Sequence, residues 1–92
     1  MKTKVVATLK KHGVYYFFPL TYGMGRSGVP DIVCCLNGKF LGIECKAGEN
    51  TLTPLQEAEH SKIMKAGGAV ITVRETNIDA VSKWLEYIKK LS

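Results

Sequence analysis

Three residues that can do chemistry stand close together in a predicted β-hairpin. Asp31 precedes one apolar run, and Glu44 and Lys46 lie at the end of the next one. Carboxylate oxygens are the ligands that Mg²⁺ and Mn²⁺ prefer, and an ammonium group stabilises charge that develops on a phosphate. A divalent metal held there would polarise a phosphodiester bond and lower the pKa of a bound water. These residue types therefore indicate a hydrolase site, if the fold brings the three side chains together.

The turn of the hairpin fixes which residues face each other. Two strand-like runs, 29–36 and 39–46, are joined by Asn37-Gly38. This dipeptide is the strongest short hairpin signal, because a type I′ turn needs a positive φ at both central residues. With a two-residue turn, counting back along both strands places Asp31 opposite Glu44.

This register gives the hairpin one apolar face and one reactive face. The Cβ atoms of Asp31 and Glu44 are expected roughly 4.5–5.5 Å apart, where like charges are destabilising unless a cation lies between them. Strand alternation places Lys46 on the face of Glu44. The opposite face consists of Ile32, Cys34, Leu36, Leu41, Ile43 and Cys45. The simpler alternative is that both carboxylates are solvated and that Lys46 is their ion-pair partner.

The elements around the hairpin follow from periodicity and from end signals. Residues 3–12 carry apolar side chains at helical spacing, and the aromatic run 14–18 is typical of a strand. Residues 69–74 are predicted to form a further strand. The 92 residues suffice for one domain, 1–92. The predicted order is αβββαβα, an α/β fold with a mixed central sheet flanked by helices.

Two capping boxes predict where helices begin. In Thr53-Pro54-Leu55-Gln56, the threonine is the N-cap, the proline is the first helical residue and Gln56 closes the box. This helix is expected to end at Gly67-Gly68. Thr76 and Asp79 have the spacing of a second box, at the start of the last helix.

Composition and charge narrow the functional class. Thirteen Lys and Arg against eight acidic residues give a net charge of +5, which favours an anionic partner such as nucleic acid. No apolar run is long enough for a membrane span or a signal peptide, so we expect a cytoplasmic protein, or one in the host cytoplasm if it is viral.

The cysteines and histidines do not form a zinc pattern. Cys34, Cys35 and Cys45 lie in apolar runs without Cys-x-x-Cys spacing, and we interpret them as reduced core residues. His12 and His60 are too few and too scattered to complete a zinc site. Both histidines are expected at the surface.

A glycine-rich loop precedes Asp31. Its segment 23–28 fits Gly-x-Gly-x-x-Gly, but the next element is a strand instead of the helix that would hold a pyrophosphate, which excludes a nucleotide cofactor. Arg26, with Ser27 beside it, is then available to contact a nucleic-acid phosphate. The alternative is a plain loop without such a role.

The motifs together resemble a known family. Gly28-Val29-Pro30-Asp31 followed by Glu44-Cys45-Lys46 is similar to the Pro-Asp…(Asp/Glu)-x-Lys signature of the restriction-endonuclease-like, or PD-(D/E)xK, superfamily. Within it, the chain resembles the virus-type replication-repair nuclease domain, VRR-NUC, over nearly its whole length. The resemblance implies a restriction-endonuclease-like core.

The resemblance also implies roles for residues. Asp31, Glu44 and the backbone carbonyl of Cys45 would bind Mg²⁺ or Mn²⁺, Lys46 would be the catalytic lysine, and Gln56 would support the site. Without the resemblance, the capping box alone explains Gln56. The aromatic residues 15–18 divide between the core and a face that can stack on bases or cover a dimer contact.

The expected function is metal-dependent endonucleolytic cleavage of structured DNA in replication, repair or recombination. Similarity to junction-resolving nucleases implies a homodimer and a branched, flapped or four-way-junction substrate. One departure stands out, because many superfamily members supply a further acid from the first helix and residues 2–12 contain none. The alternative function is therefore a nuclease-fold module that binds nucleic acid without cutting it.

Overall fold

The computed structural model describes residues 1–20 and 27–91. Its elements follow the predicted order αβββαβα and confirm the α/β class, with a short 3₁₀ turn, Glu75–Asn77, before the last helix. They are α1 (Lys2–Lys11), β1 (Tyr15–Phe17), β2 (Ile32–Leu36), β3 (Lys39–Cys45), α2 (Pro54–Lys65), β4 (Ala69–Val73) and α3 (Asp79–Lys90).

The strands form one mixed sheet in the order β1-β2-β3-β4. The pairs β1–β2 and β2–β3 are antiparallel, whereas β3 and β4 are parallel and are connected through α2. Asn37 and Gly38 have φ values of 52° and 80°, as a type I′ turn requires. Leu36 pairs with Lys39 and Ile32 with Ile43, so the predicted register of the hairpin is confirmed.

The main core lies between one face of the sheet and the helices α1 and α3. We call this side of the sheet the core face and the opposite side, which carries Glu44, the α2 face. The predicted apolar face of the hairpin is confirmed as the core face. Its buried members and their helical partners are Ile32, Cys34, Leu36, Leu41, Ile43, Val73, Val5, Leu9, Val81, Leu85 and Ile88, with Cys45 partly buried against them.

Two local predictions are wrong. Cys35 is exposed, because alternation along β2 turns it away from the core that contains Cys34. Thr76 does not cap the last helix, since α3 begins after Ile78 without a side-chain cap. Instead, the backbone N–H of Arg74, directly after β4, donates a hydrogen bond of 2.6 Å to Asn77 Oδ1 in the 3₁₀ turn.

The lengths of the helices bear on the prediction that the chain has no membrane span. Across residues 1–20 and 27–91, every helix is too short or too polar to span a bilayer.

Gly28 lets the loop before Asp31 pass directly over the start of α2. Its φ is +80°, and a Cβ at this position would lie 2.4 Å from the backbone oxygen of Leu55 and 2.9 Å from the nitrogen of Gln56. We therefore expect Gly28→Ala to destabilise the protein strongly. Positive φ alone costs about 1–2 kcal/mol, and the overlap with backbone atoms adds typically about 1–3 kcal/mol.

A matched control is Gly48→Ala, because Gly48 has a φ of +53° and open space around its Cβ position. Urea unfolding of both variants separates the two costs. Equal destabilisation of the two variants would contradict the close contact between the loop and α2.

Candidate active site

The fold brings the two predicted carboxylates together at the open end of the hairpin. Asp31 lies directly before β2, and its Oδ2 accepts a hydrogen bond of 2.8 Å from the backbone nitrogen of Cys45. Glu44 lies in β3, directly before Cys45, and is only 2% exposed. The two carboxyl groups contact each other. Backbone pairing and this hydrogen bond therefore hold both acids in one place.

The pair is electrostatically costly as it stands. Burial, the hydrogen bond to Asp31 and the negative charge of Asp31 raise the pKa of Glu44 from 4.5 to about 8. The positive charges of Lys46 and Lys2 act in the opposite direction. A buried carboxyl group held against a second, partly exposed one favours a bound proton or a bound cation near neutral pH. The site is thus built to attract positive charge.

Two lysines act electrostatically on the carboxylates, one directly after β3 and one in α1. Lys46 follows β3 directly, and its backbone nitrogen donates to the carbonyl of Val73 at 2.9 Å, which continues the parallel pairing with β4. Lys2, in α1, places Nζ 3.9 Å from Asp31 Oδ1. Sequence reasoning considered α1 only as a source of an acid, and the structure shows that this helix contributes a cation.

His60 is a site residue that sequence reasoning missed. Its Nε2 lies 3.2 Å from Glu44 Oε1, and the two side chains are only 7% and 2% exposed, so the predicted surface location of His60 is wrong. Burial, reinforced by the charge of Lys46, lowers the pKa of His60 against the opposing effect of Glu59. The available signal was its spacing of four residues after Gln56, which places both on one face of α2.

Gln56 occupies the predicted capping box. The side-chain Oε1 of Gln56 accepts a hydrogen bond from the backbone nitrogen of Thr53 at 2.9 Å. The backbone nitrogen of Gln56 donates to Thr53 Oγ1 at 3.2 Å. The structural interpretation of Gln56 is therefore confirmed. No hydrogen bond within the described chain joins Gln56 to Asp31, Glu44 or Lys46.

The predicted phosphate-contacting residues are only partly visible. Ser27 is exposed in the turn that precedes Gly28. Arg26 lies outside the described residues, so its predicted role stays a prediction.

The donor set fits a hard divalent cation. Among residues 1–20 and 27–91, no group of three or more His, Cys, Asp or Glu side chains is arranged around a common point. Two adjoining carboxyl groups are present, however, and burial together with Asp31 raises the pKa of Glu44, so a cation bound there would favour its charged form. Oxygen donors of this type suit Mg²⁺ or Mn²⁺ better than zinc.

Comparison with known proteins gives a curated relative. No family model matches the chain. Over 58 residues it is 38% identical to a protein of Acyrthosiphon pisum secondary endosymbiont phage 1 that is named "Putative nuclease p44". The alignment covers 62% of this chain and 62% of the length of that relative.

Solved structures extend the likeness over most of the chain. A VRR_NUC domain superposes with a TM-score of 0.74 at 27% identity, covering 94% of this chain and 90% of the other. A second VRR_NUC domain protein has a TM-score of 0.66 at 22% identity over 85% and 69% of the two chains. Hjc, a Holliday junction resolvase of Archaeoglobus fulgidus, shares the fold, with a TM-score of 0.56 at 19% identity over 82% and 68%. The architecture of the chain and these similarities support its identification as a VRR-NUC domain.

Proposed function

We propose that this protein is a metal-dependent nuclease that hydrolyses phosphodiester bonds in DNA. The observation that carries the proposal is the pair Asp31 and Glu44, held in contact at the end of the hairpin with Lys46 beside them. A stable fold has no need to hold the carboxyl group of Asp31 against that of the buried Glu44, whereas a divalent metal site uses such a pair. The similarity to a phage protein named as a nuclease supports this function.

In the proposed mechanism, Asp31, Glu44 and the backbone carbonyl of Cys45 would hold Mg²⁺ or Mn²⁺. When bound, the ion would polarise the scissile phosphate and lower the pKa of a water ligand. The hydrogen bond from Cys45 fixes the orientation of the Asp31 carboxylate. The ammonium of Lys46 orients the attacking water or stabilises the developing charge on the phosphate. Gln56 would support the site through its side-chain nitrogen Nε2, which the capping box does not use.

The proposed substrate is structured DNA, in replication, repair or recombination. The net charge of +5 suits a polyanion, and the fold shared with a Holliday junction resolvase favours branched, flapped or four-way-junction forms. Ser27, which is exposed four residues before Asp31, and Arg26 are the proposed phosphate contacts. The shape of the DNA is proposed to select the substrate.

We also propose that the protein acts as a homodimer. An apolar groove of about 570 Å³ crosses the α2 face beside the site, and Phe17 and Phe40 in its lining are 47% and 45% exposed. Apolar surface of this kind on a small domain favours a protein contact. A pair of protomers would present two sites to one branched substrate.

The decisive experiment is cleavage of labelled four-way-junction, flap, duplex and single-stranded DNA in Mg²⁺, Mn²⁺ and EDTA. We expect cutting only with metal and preferentially on branched forms, and sedimentation equilibrium of the same protein should give the mass of a dimer. Absence of cutting in both metals would overturn the nuclease proposal.

The second candidate function is binding of DNA without cleavage. Lys2 favours it, because this cation lies 3.9 Å from Asp31 Oδ1, on the helix from which many superfamily members supply an acid. Phosphate contacts would then give an affinity that falls as salt rises. Salt-sensitive binding with no turnover in either metal would support this candidate.

Removal of Lys2 is expected to strengthen metal binding. Lys2 competes with a metal for the charge of Asp31, but it is 55% exposed and therefore partly screened by solvent. We expect Lys2→Ala to lower the Mn²⁺ concentration for half-maximal binding about 1.5- to 5-fold, which corresponds to an exposed ion pair. Isothermal titration with Mn²⁺ measures this change. Lys11→Ala, at the other end of α1, should leave the value unchanged; a weaker affinity after Lys2→Ala would contradict competition.

A further inference from the structure

We propose that His60 is a positioning residue that holds Glu44 in the orientation required for metal binding. The proposal rests on the proposed function. His60 Nε2 and Glu44 Oε1 are 3.2 Å apart, a hydrogen-bond distance, and both side chains are shielded from water. This contact fixes one carboxylate oxygen of Glu44 and leaves the other for the metal.

The direction of this hydrogen bond follows from the chemistry of a metal ligand. A carboxylate that binds metal is ionised and can only accept hydrogen bonds. Nε2 of His60 must then carry the hydrogen and donate it to Oε1, which defines the tautomer of the imidazole. A histidine that donates to a carboxylate in this way orients the carboxylate without binding the metal itself.

Burial makes the contact hard to replace. At 7% and 2% exposure, both side chains are largely withdrawn from the bulk water that could substitute for the partner. An unpaired buried acceptor on Glu44 would be free to rotate and would lose the energy of its hydrogen bond. Two other charged groups act on His60. They are Glu59, the preceding residue of α2, and Lys46, which follows Glu44 by two residues.

The backbone of α2 gives His60 a rigid base. The helix begins at the capping box of Thr53 and Gln56, one turn before His60. Its first residues also meet Gly28, three residues before Asp31. One helix therefore contacts the loop that carries Asp31 and the side chain of Glu44, so it sets the relative placement of both carboxylates.

Three variants test the role of His60. His60→Gln keeps a donor of similar reach, His60→Asn keeps a donor that is too short, and His60→Leu keeps the size without a donor. Circular dichroism and urea unfolding establish which variants are folded. Each folded variant is then titrated with Mn²⁺ in the absence of DNA by electron paramagnetic resonance, and its cleavage rate is measured at rising Mg²⁺.

Loss of an outer hydrogen bond to a metal ligand typically weakens metal affinity about 10- to 100-fold. We expect this loss for His60→Leu and His60→Asn, wild-type affinity within a few-fold for His60→Gln, and recovery of cleavage by the weakened variants at saturating Mg²⁺. A purely structural role would instead change unfolding without this pattern of rescue. The contrast between Gln and Asn keeps the test decisive if His60→Leu does not fold.

The outcomes separate this inference from the nuclease proposal. If the wild type binds Mn²⁺ and the folded Asn and Leu variants bind it equally well, His60 has no positioning role and the metal site stands. If Gln loses as much affinity as Asn, the hydrogen bond is not the cause and the inference is overturned. If the wild type itself binds no Mn²⁺, the proposed function fails, and the inference fails with it.

Discussion

Asp31→Asn and Lys46→Met are each expected to lower the rate of metal-dependent DNA cleavage by roughly 10²–10³-fold or more, the usual cost of losing one electrostatic contact to a transition state. Asp31→Asn removes a charge from the carboxyl pair that we propose to hold the metal. Lys46→Met removes the ammonium proposed to act on the phosphate and keeps the length of the side chain. Single-turnover cleavage of a labelled four-way junction measures both losses.

The matched control is Lys65→Met, which changes an exposed lysine near the end of α2 and should cleave at the wild-type rate. Each variant must show the far-ultraviolet circular dichroism of the wild type. The two losses should also differ in kind, since Asp31→Asn should weaken Mn²⁺ binding whereas Lys46→Met should not. Cleavage by folded Asp31→Asn and Lys46→Met at the wild-type rate would refute the assignment of the site.

The second large effect concerns stability in the absence of metal. The pKa of Glu44 is raised from 4.5 to about 8 in the folded protein, so Glu44 holds its proton more tightly when folded than when unfolded. Its contribution to the stability of the folded protein is therefore complete below pH 4.5 and is lost as pH rises through about 8. Between these values the free energy of unfolding falls by up to about 1.4 kcal/mol per pH unit from this group.

His60 limits the window in which this effect is clean. Its folded pKa lies below the ordinary value of 6.5, so its contribution is lost as pH falls and opposes that of Glu44 in acid. The expected fall in stability should thus be seen most clearly from pH 6.5 to 8, in EDTA. Glu44→Gln, which cannot ionise, should be flat over this range and more stable than the wild type at pH 8.

Urea unfolding at several pH values in EDTA compares Glu44→Gln with the wild type. Saturating Mg²⁺ should stabilise only the wild type, because a ligand that binds the folded state adds to its stability. Parallel pH profiles for the two proteins in EDTA would show that Glu44 does not carry the dependence.

Local signals explain why the hairpin and the helix start were predictable. The turn at Asn37 and Gly38 dictates its own conformation, and the alternation of apolar residues then leaves one register for β2 and β3. The box of Thr53 and Gln56 likewise involves residues three apart. The meeting of Asp31 with Glu44 follows from the turn alone, so this part of the site was accessible from the sequence.

The contributions of α1 and α2 to the site depend on packing between distant segments. The spacing of His60 from Gln56 shows that both lie on one face of α2, but it does not show that this face covers Glu44. Similarly, Lys2 approaches Asp31 only because α1 packs across the core face. Helix orientation over a sheet is decided by the whole core, which local sequence patterns do not encode.

The two-residue turn between β2 and β3 also bears on the order in which the chain folds. Hairpins form in about 1–10 μs, and closing a short loop costs less entropy than closing a long one. Pairing of β4 with β3 closes a much longer connection, which includes α2. We therefore expect the carboxyl pair to be assembled early and in water, and the desolvation of Glu44 to occur in a later step, when α2 docks over it.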